Sequence, residues 1–195
     1  MNQIMSSNPS PSSLLVDILV LDNTAFVSGF NFNLLRIQNP EMIIAITPGI
    51  YGEAVKSVRA APILEIAEAQ NNLRIIDPSD QAEIQVHDAA TQTGDIGALS
   101  VNDCGIIALA LDQIAQNPSK RVLLMSDDYS VQNTATHLKI PLFKYRKQGI
   151  QKKIRWEVYC PQCFRVYAIT QLGEECEMCG AELKRRAFKG KRGHL

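Results

Sequence analysis

Four short apolar runs mark out the first three-quarters of the chain, at residues 15–21 (LVDILVL), 43–46 (IIAI), 73–76 (LRII) and 122–125 (VLLM). Each has the length of a β-strand, and the intervening stretches carry helical spacing. A helix is expected at 50–58, after Thr47, Pro48 and Gly49 break the second run. A second is expected at 62–71, with Ile63, Ile66 and Ala67 on one face, and a third at 82–93, stopping near Gly94. Residues 101–116 are the clearest helix, apolar enough to be buried; 130–138 is another, and 142–145 reads as a last short strand. Strands alternating with helices predict an α/β domain with a mostly parallel central sheet and helices on both faces.

Ligands of such sheets gather at the carboxyl ends of the strands, and acids stand there. Asp22 directly follows the first run, and Asp127 and Asp128 follow the fourth. Glu53 falls in the first turn of the helix after the second run, and Asp103 in the first turn of the long helix. Carboxylates converging on one edge repel one another unless a cation sits among them. Mg²⁺ or Mn²⁺, which prefer oxygen ligands, are the natural candidates. Ions held in this way polarise phosphates and activate water in nucleases. Each acid also has a local role open to it. Ser100 and Asp103 have the spacing of a capping box, Glu53 suits a helix N-terminus, and one of Asp127 and Asp128 suits a cap. There is no Walker loop and no Ser-His-Asp arrangement, and His87, His137 and His194 are given packing or surface roles.

The apolar pattern stops near Lys144, and the charge changes sign there. The formal net charge is zero, but seven Lys/Arg stand against fifteen Asp/Glu up to Phe143, and thirteen against five from Lys144 onward. Such asymmetry points to a nucleic-acid or membrane partner. No apolar run approaches the ~20 residues of a membrane span. The opening 1–13 is polar and lacks Lys and Arg, unlike a secretory or transit peptide, so a disordered tail on a cytoplasmic protein is expected. With 46% hydrophobic residues, wholesale disorder is excluded.

Within the basic part, Cys160-Pro-Gln-Cys163 and Cys176-Glu-Met-Cys179-Gly180 form two C-x-x-C knuckles separated by twelve residues. That pattern supplies four thiolates to one structural Zn²⁺ and leaves no open coordination position for catalysis. A disulfide pair is the competing explanation, opposed by the lack of a signal peptide and by the odd fifth cysteine, Cys104. Phe164, Val166, Tyr167 and Ile169 can build a strand between the knuckles. Lys152, Lys153 and Arg155 precede the ribbon and Lys184, Arg185 and Arg186 follow it, with Trp156, Tyr159, Phe164 and Phe188 interleaved for stacking on unpaired bases. The chain divides as a tail at 1–13, a nuclease domain at 14–146, a basic linker at 147–157, a zinc ribbon at 158–184 and a basic tail at 185–195.

Four blocks, LVLDNTAF (19–26), TPGIYGEAV (47–55), LSVNDCGIIALAL (99–111) and LLMSDDYSVQN (123–133), resemble the acidic blocks of PIN-domain nucleases. With the ribbon and basic tail attached, the chain resembles the "Nin one binding" family, the endonucleases that form the mature 3′ end of small-subunit ribosomal RNA; the single ribbon looks archaeal. The resemblance implies a Rossmann-like PIN domain. It implies catalytic Mg²⁺ or Mn²⁺ on Asp22, Glu53, Asp103 and a fourth acid, Asp128, with Asp127 second. Thr24 and Ser126 resemble supporting hydroxyls, although Asn23 stands where many relatives carry Ser or Thr directly after the aspartate. The expected products are a 3′-hydroxyl and a 5′-phosphate, and the expected partners are precursor rRNA in the immature small subunit and its assembly factors. A toxin-type PIN ribonuclease and a non-catalytic assembly factor are the alternative readings.

Overall fold

The computed structural model describes residues 15–27, 37, 39–143 and 154–188. The disordered tail expected at 1–13 and the cations Lys152 and Lys153 lie outside these residues.

Strands β1 (Ile18–Leu21), β2 (Ile43–Ile46), β3 (Leu73–Ile75) and β4 (Val122–Met125) form one sheet in the order β3-β2-β1-β4, every pair parallel. All four residues of β1 and of β4 are buried. A strand buried on both faces of its pleat has cover on both, which is why these segments read as unbroken apolar runs. The order runs outward from β1 to β3 and then jumps back to the other side of β1, so the topological switch point lies between β1 and β4. The ladder continues one residue beyond the strands, where the Asp22 N–H donates to the Met125 carbonyl at 3.1 Å. Asp22 and Ser126 therefore leave the sheet side by side.

Among the described residues, six helices connect or flank these strands: α1 (Asn23–Val27), α2 (Pro48–Ala54), α3 (Ala61–Ala69), α4 (Asp80–Thr93), α5 (Val101–Gln116) and α6 (Tyr129–His137). The short α1 was not expected. Helix α2 starts earlier than the pattern suggested, because Thr47 is its N-cap, with Oγ1 accepting from the Ile50 N–H at 3.3 Å, and Pro48 opens the first turn. A Thr-Pro pair serves a helix start as well as a turn. In α3 the buried positions are Leu64 and Ala67; Ile66, expected on the buried face, is 47% exposed. The expected strand at 142–145 is reduced to a bridge between Leu142 and Leu124, with 144 and 145 outside the described residues.

The C-terminal part builds a second, antiparallel sheet from β5 (Trp156–Tyr159), β6 (Val166–Tyr167) and β7 (Lys184–Ala187), in the order β6-β5-β7. Its buried core is Val158, Cys160, Cys176 and Leu183. So few buried side chains make a weak core by themselves.

The ribbon docks against α4 and α6. Asn133, fully buried on α6, accepts from the Ile154 N–H at 2.9 Å and donates to the Ile154 carbonyl and to Asp95 Oδ2, both at 2.6 Å. Arg185 of β7 donates to Asp95 Oδ1 at 3.3 Å and to Ser130 Oγ at 3.2 Å, with its guanidinium 4.7 Å from the centre of the Trp156 ring. Tyr129 meets the same indole edge-on, ring centres 6.4 Å apart. Among the described residues, no helix is long and apolar enough to cross a membrane.

Candidate active site and metal-binding residues

Asp22 is 3% exposed at the switch point. Its Oδ2 accepts from Ser126 Oγ at 2.6 Å and from Thr24 Oγ1 at 2.7 Å, and its Oδ1 accepts from the Asn23 N–H at 2.6 Å. Thr24 Oγ1 in turn accepts from the Asp127 N–H at 2.9 Å, and Ser126 Oγ accepts from the Asp128 N–H at 3.0 Å. Two hydroxyls thus join the ends of β1 and β4 around one carboxylate, and the insertion of Asn23 has not displaced Thr24 from it. Burial pushes the Asp22 pKa above its ordinary value. The Ser126 and Thr24 hydroxyls act against that, the Asp103 charge adds to it, and the Asn23 N–H opposes it.

Glu53, expected in the first turn of its helix, lies instead in the C-terminal half of α2, because Thr47 and Pro48 start the helix earlier; it is exposed and held by both oxygens. Its Oε2 accepts from Asn23 Nδ2 at 2.9 Å and its Oε1 from Asn102 Nδ2 at 2.6 Å. Asp103 closes the capping box of α5: Oδ2 accepts from the Ser100 N–H at 2.8 Å, and the Asp103 N–H donates to Ser100 Oγ at 3.2 Å. Of the paired aspartates it is Asp128 that caps α6, through Oδ1, from the N–H groups of Ser130 at 2.7 Å and Val131 at 3.1 Å. Asp127 beside it is half-buried. The local roles foreseen for Asp103 and Asp128 are therefore filled, each through a single oxygen in the bonds above. Neither oxygen of Glu53 is spared in this way.

Oxygen donors predominate here, and the set fits a hydrated divalent ion. A carboxylate as buried as Asp22, under the repulsion of Asp103, calls for a positive neighbour. Beside it Asn23 Oδ1 is buried and accepts no hydrogen bond, leaving an acceptor for a water of such an ion. The acids do not crowd together: among the described residues only the four cysteines bring three or more ligand atoms within 4.8 Å of one another. None of the five cysteines is disulfide-bonded. Cys160 and Cys179 Sγ are 3.3 Å apart, and Cys163 and Cys176 Sγ 3.5 Å, close to the ~3.8 Å expected between thiolates bound at ~2.3 Å to a tetrahedral Zn²⁺. The Tyr167 hydroxyl, 3.0 Å from Cys176 Sγ, lowers that thiol's pKa to about 6, which favours the thiolate form that a metal binds.

The basic residues separate into two groups. Arg185 is turned inward onto Asp95. Arg186 donates to Glu157 Oε1 at 2.7 Å and lies over Tyr159, and Arg155 lies over Phe188. Lys184 is exposed. His87 is exposed on α4, and His137 Nε2 contacts Gln92 Oε1 at 3.1 Å; neither histidine is part of the acidic edge as described. Sequence reasoning missed Asn23 and Asn102 as partners of Glu53, and Asp95 as partner of Arg185. No local spacing announces these pairs, which are 30, 49 and 90 residues apart.

Residues 19–112 match the family model described as the PIN domain of ribonuclease. The chain is 32% identical over 170 residues to endoribonuclease Nob1 of Methanothermobacter thermautotrophicus, covering 87% of this chain and 93% of that protein. The chain belongs to the Nob1 family of PIN-domain endoribonucleases. Within reach of this Nob1-type chain are two further relatives. It is 29% identical to ribonuclease VapC1 of Thermoplasma acidophilum, over 89% of this chain and 80% of that one. It is 31% identical to the 20S-pre-rRNA D-site endonuclease NOB1 of Saccharomyces cerevisiae, over 50% of this chain and 20% of that one.

Proposed function

We propose that the chain hydrolyses one phosphodiester bond in precursor small-subunit rRNA to form its mature 3′ end, as a divalent-metal-dependent enzyme of the cytosol. The observation that supports this reading best is the buried Asp22 carboxylate where β1 and β4 diverge, joined through Thr24 and Ser126 to the Asp127 and Asp128 amides, with Glu53 tied through Asn23 and Asn102 to the neighbours of Asp22 and Asp103. The pre-rRNA substrate is taken from the name of the yeast relative.

A bound Mg²⁺ or Mn²⁺ supplies a polarised phosphate and an activated water. Asp22, Glu53, Asp103 and Asp128, with Asp127 as the alternative fourth acid, are the residues that would hold it. Ser126 and Thr24 aim Asp22 by donating to its Oδ2 and oppose the rise in its pKa that burial causes. The α6 amides fix Asp128 through Oδ1, which leaves Oδ2 for the ion. Hydrolysis leaves a 3′-hydroxyl and a 5′-phosphate, and no histidine has a part in it. The four cysteines hold Zn²⁺, and the ribbon, with Arg155, Lys184 and the flanking Lys152 and Lys153, grips single-stranded rRNA. Arg185 and Arg186 serve chiefly to build that platform. Assembly factors of the immature subunit are the expected protein partners.

The likeness to a VapC ribonuclease supports a second reading, in which transfer or messenger RNA is cut. Both readings are tested with an RNA spanning the 3′ end of small-subunit rRNA, incubated with Mn²⁺ and either wild type or Asp22→Asn. A single cut at the mature end, lost in the variant, is expected. Cutting of transfer RNA in preference moves the assignment to the toxin type. Binding without cutting by either protein makes the chain a non-catalytic assembly factor.

A further inference from the structure

Both oxygens of Glu53 accept from side-chain amides. Asn23 reaches it from the first turn of α1 and Asn102 from the first turn of α5, one to each oxygen. Three acidic blocks are thereby tied together. Asn23 follows Asp22, Asn102 precedes Asp103, and both amides converge on Glu53. Such a carboxylate at an exposed position would otherwise sample several rotamers, because Glu side chains have much conformational freedom to lose.

A second observation, on the opposite side of Asn102, points the same way. Helix α2 begins Pro48-Gly49, and a Cβ on Gly49 would overlap Asn102 Oδ1 and lie 3.0 Å from its Cγ. Gly49 is not in a left-handed conformation, so backbone freedom does not account for it. The missing side chain makes room for the Asn102 amide. Gly105, one turn along α5, faces Thr47 with 3.8 Å between Thr47 Cγ2 and the position of a Cβ, so α5 and the start of α2 approach closely here. The amide is therefore seated from both ends: its oxygen against the glycine, its Nδ2 on Glu53.

We propose that Asn23 and Asn102 are positioning residues that clamp Glu53 in the orientation its metal-binding role requires, with Gly49 as the seat of the Asn102 amide. The proposal rests on the metal-dependent reading above. An amide donates without carrying charge, so the clamp orients Glu53 while leaving its negative charge for the cation. A Lys or Arg in either place would fix the side chain too, but would neutralise the ligand. Each carboxylate oxygen accepts more than one bond, so an amide and a cation can share it. Partners of this kind behind a metal ligand typically contribute about 10–100-fold in metal affinity or activity.

The test is a titration of MnCl₂ into the full chain with zinc in place, followed by calorimetry and by the electron paramagnetic resonance of free Mn²⁺, with the melting temperature recorded beside it. Asn102→Leu keeps the volume and removes the donor. Gly49→Ala keeps every donor and displaces the amide. Asp22→Asn defines the site. Loss of about tenfold in Mn²⁺ affinity is expected for Asn102→Leu and a smaller loss for Gly49→Ala, both at an unchanged melting temperature. Wild-type affinity in Gly49→Ala and Asn102→Leu alike overturns the clamp while leaving the metal-dependent reading intact. Should Asn102→Leu melt early, Gly49→Ala decides by itself: weaker binding supports the clamp and unchanged binding overturns it. Wild type that binds no Mn²⁺ in an Asp22-dependent way overturns the reading itself, and the clamp with it.

Discussion

At Asp22 the cost of function can be measured as a dependence on pH. Burial holds its folded pKa above the ordinary 3.8, so the folded chain takes up a proton where the unfolded chain has released one. The stability contributed by the protonated form is complete below 3.8 and is lost as pH rises through the raised value. With zinc in place and no other metal added, the melting temperature of wild type should therefore fall between about pH 4 and about pH 7 by more than that of Asp22→Asn. Mn²⁺ at neutral pH should restore the difference in wild type alone. Parallel pH curves in calorimetry would mean that Asp22 carries no such charge. The asparagine fits the site because the Thr24 and Ser126 hydroxyls can turn to accept as readily as they donate.

Among the elements, legibility followed range. β1 and β4 were readable because burial on both faces makes a strand apolar throughout, and the metal knuckles because their ligands lie three residues apart. Helix α2 was read late, since Thr47-Pro48-Gly49 spells a turn as well as a cap. Ile66 was put on the wrong side because Leu64 and Ile66 offer α3 two competing apolar stripes, and only the neighbouring chain chooses between them. The place of Asp22 at a strand end was legible locally, whereas the pairing of Asn102 with Glu53 comes only from the three-dimensional approach of α2 and α5. The end of α4 was read from Gly94, but its second task was not. At φ 80° it caps the helix, and a Cβ there would lie 2.7 Å from both the Cβ and the carbonyl oxygen of Trp156. Gly173 has a similar φ of 85° and open space around it. Alanine at Gly173 should cost about 1–2 kcal/mol for its backbone conformation alone. Gly94→Ala should cost clearly more, because it also drives the ribbon from α4. Equal losses in urea unfolding would remove Gly94 from the contact.

For the molecule as a whole, the decisive contact is between the ribbon and the α4 and α6 side of the first domain. Asp95, with a fully buried side chain, is shared by Asn133 and Arg185, and the only tryptophan, Trp156, lies against that arginine. Asp95→Ala should cost about 2–4 kcal/mol, somewhat below the range for a fully buried pair because 28% of the Arg185 side chain remains exposed. It should also shift Trp156 fluorescence to the red as the indole gains water. Glu157→Ala, which breaks the more exposed pair with Arg186, should leave the emission in place. The reverse pattern would locate the joint elsewhere. The opposing charges of the two halves, which cancel in the total, are thus brought together at the contact by one acid and one base.

That contact ends close to Asp128, one of the proposed metal-binding acids. Arg185 bonds to Ser130, and the Ser130 N–H bonds to Asp128. Under the proposed function, a grip and a blade joined so directly would act as a gauge. For an RNA lying along both, the protein would then set the span from the gripped nucleotides to the broken bond, so that distance along the strand, and not base identity, would select the cut.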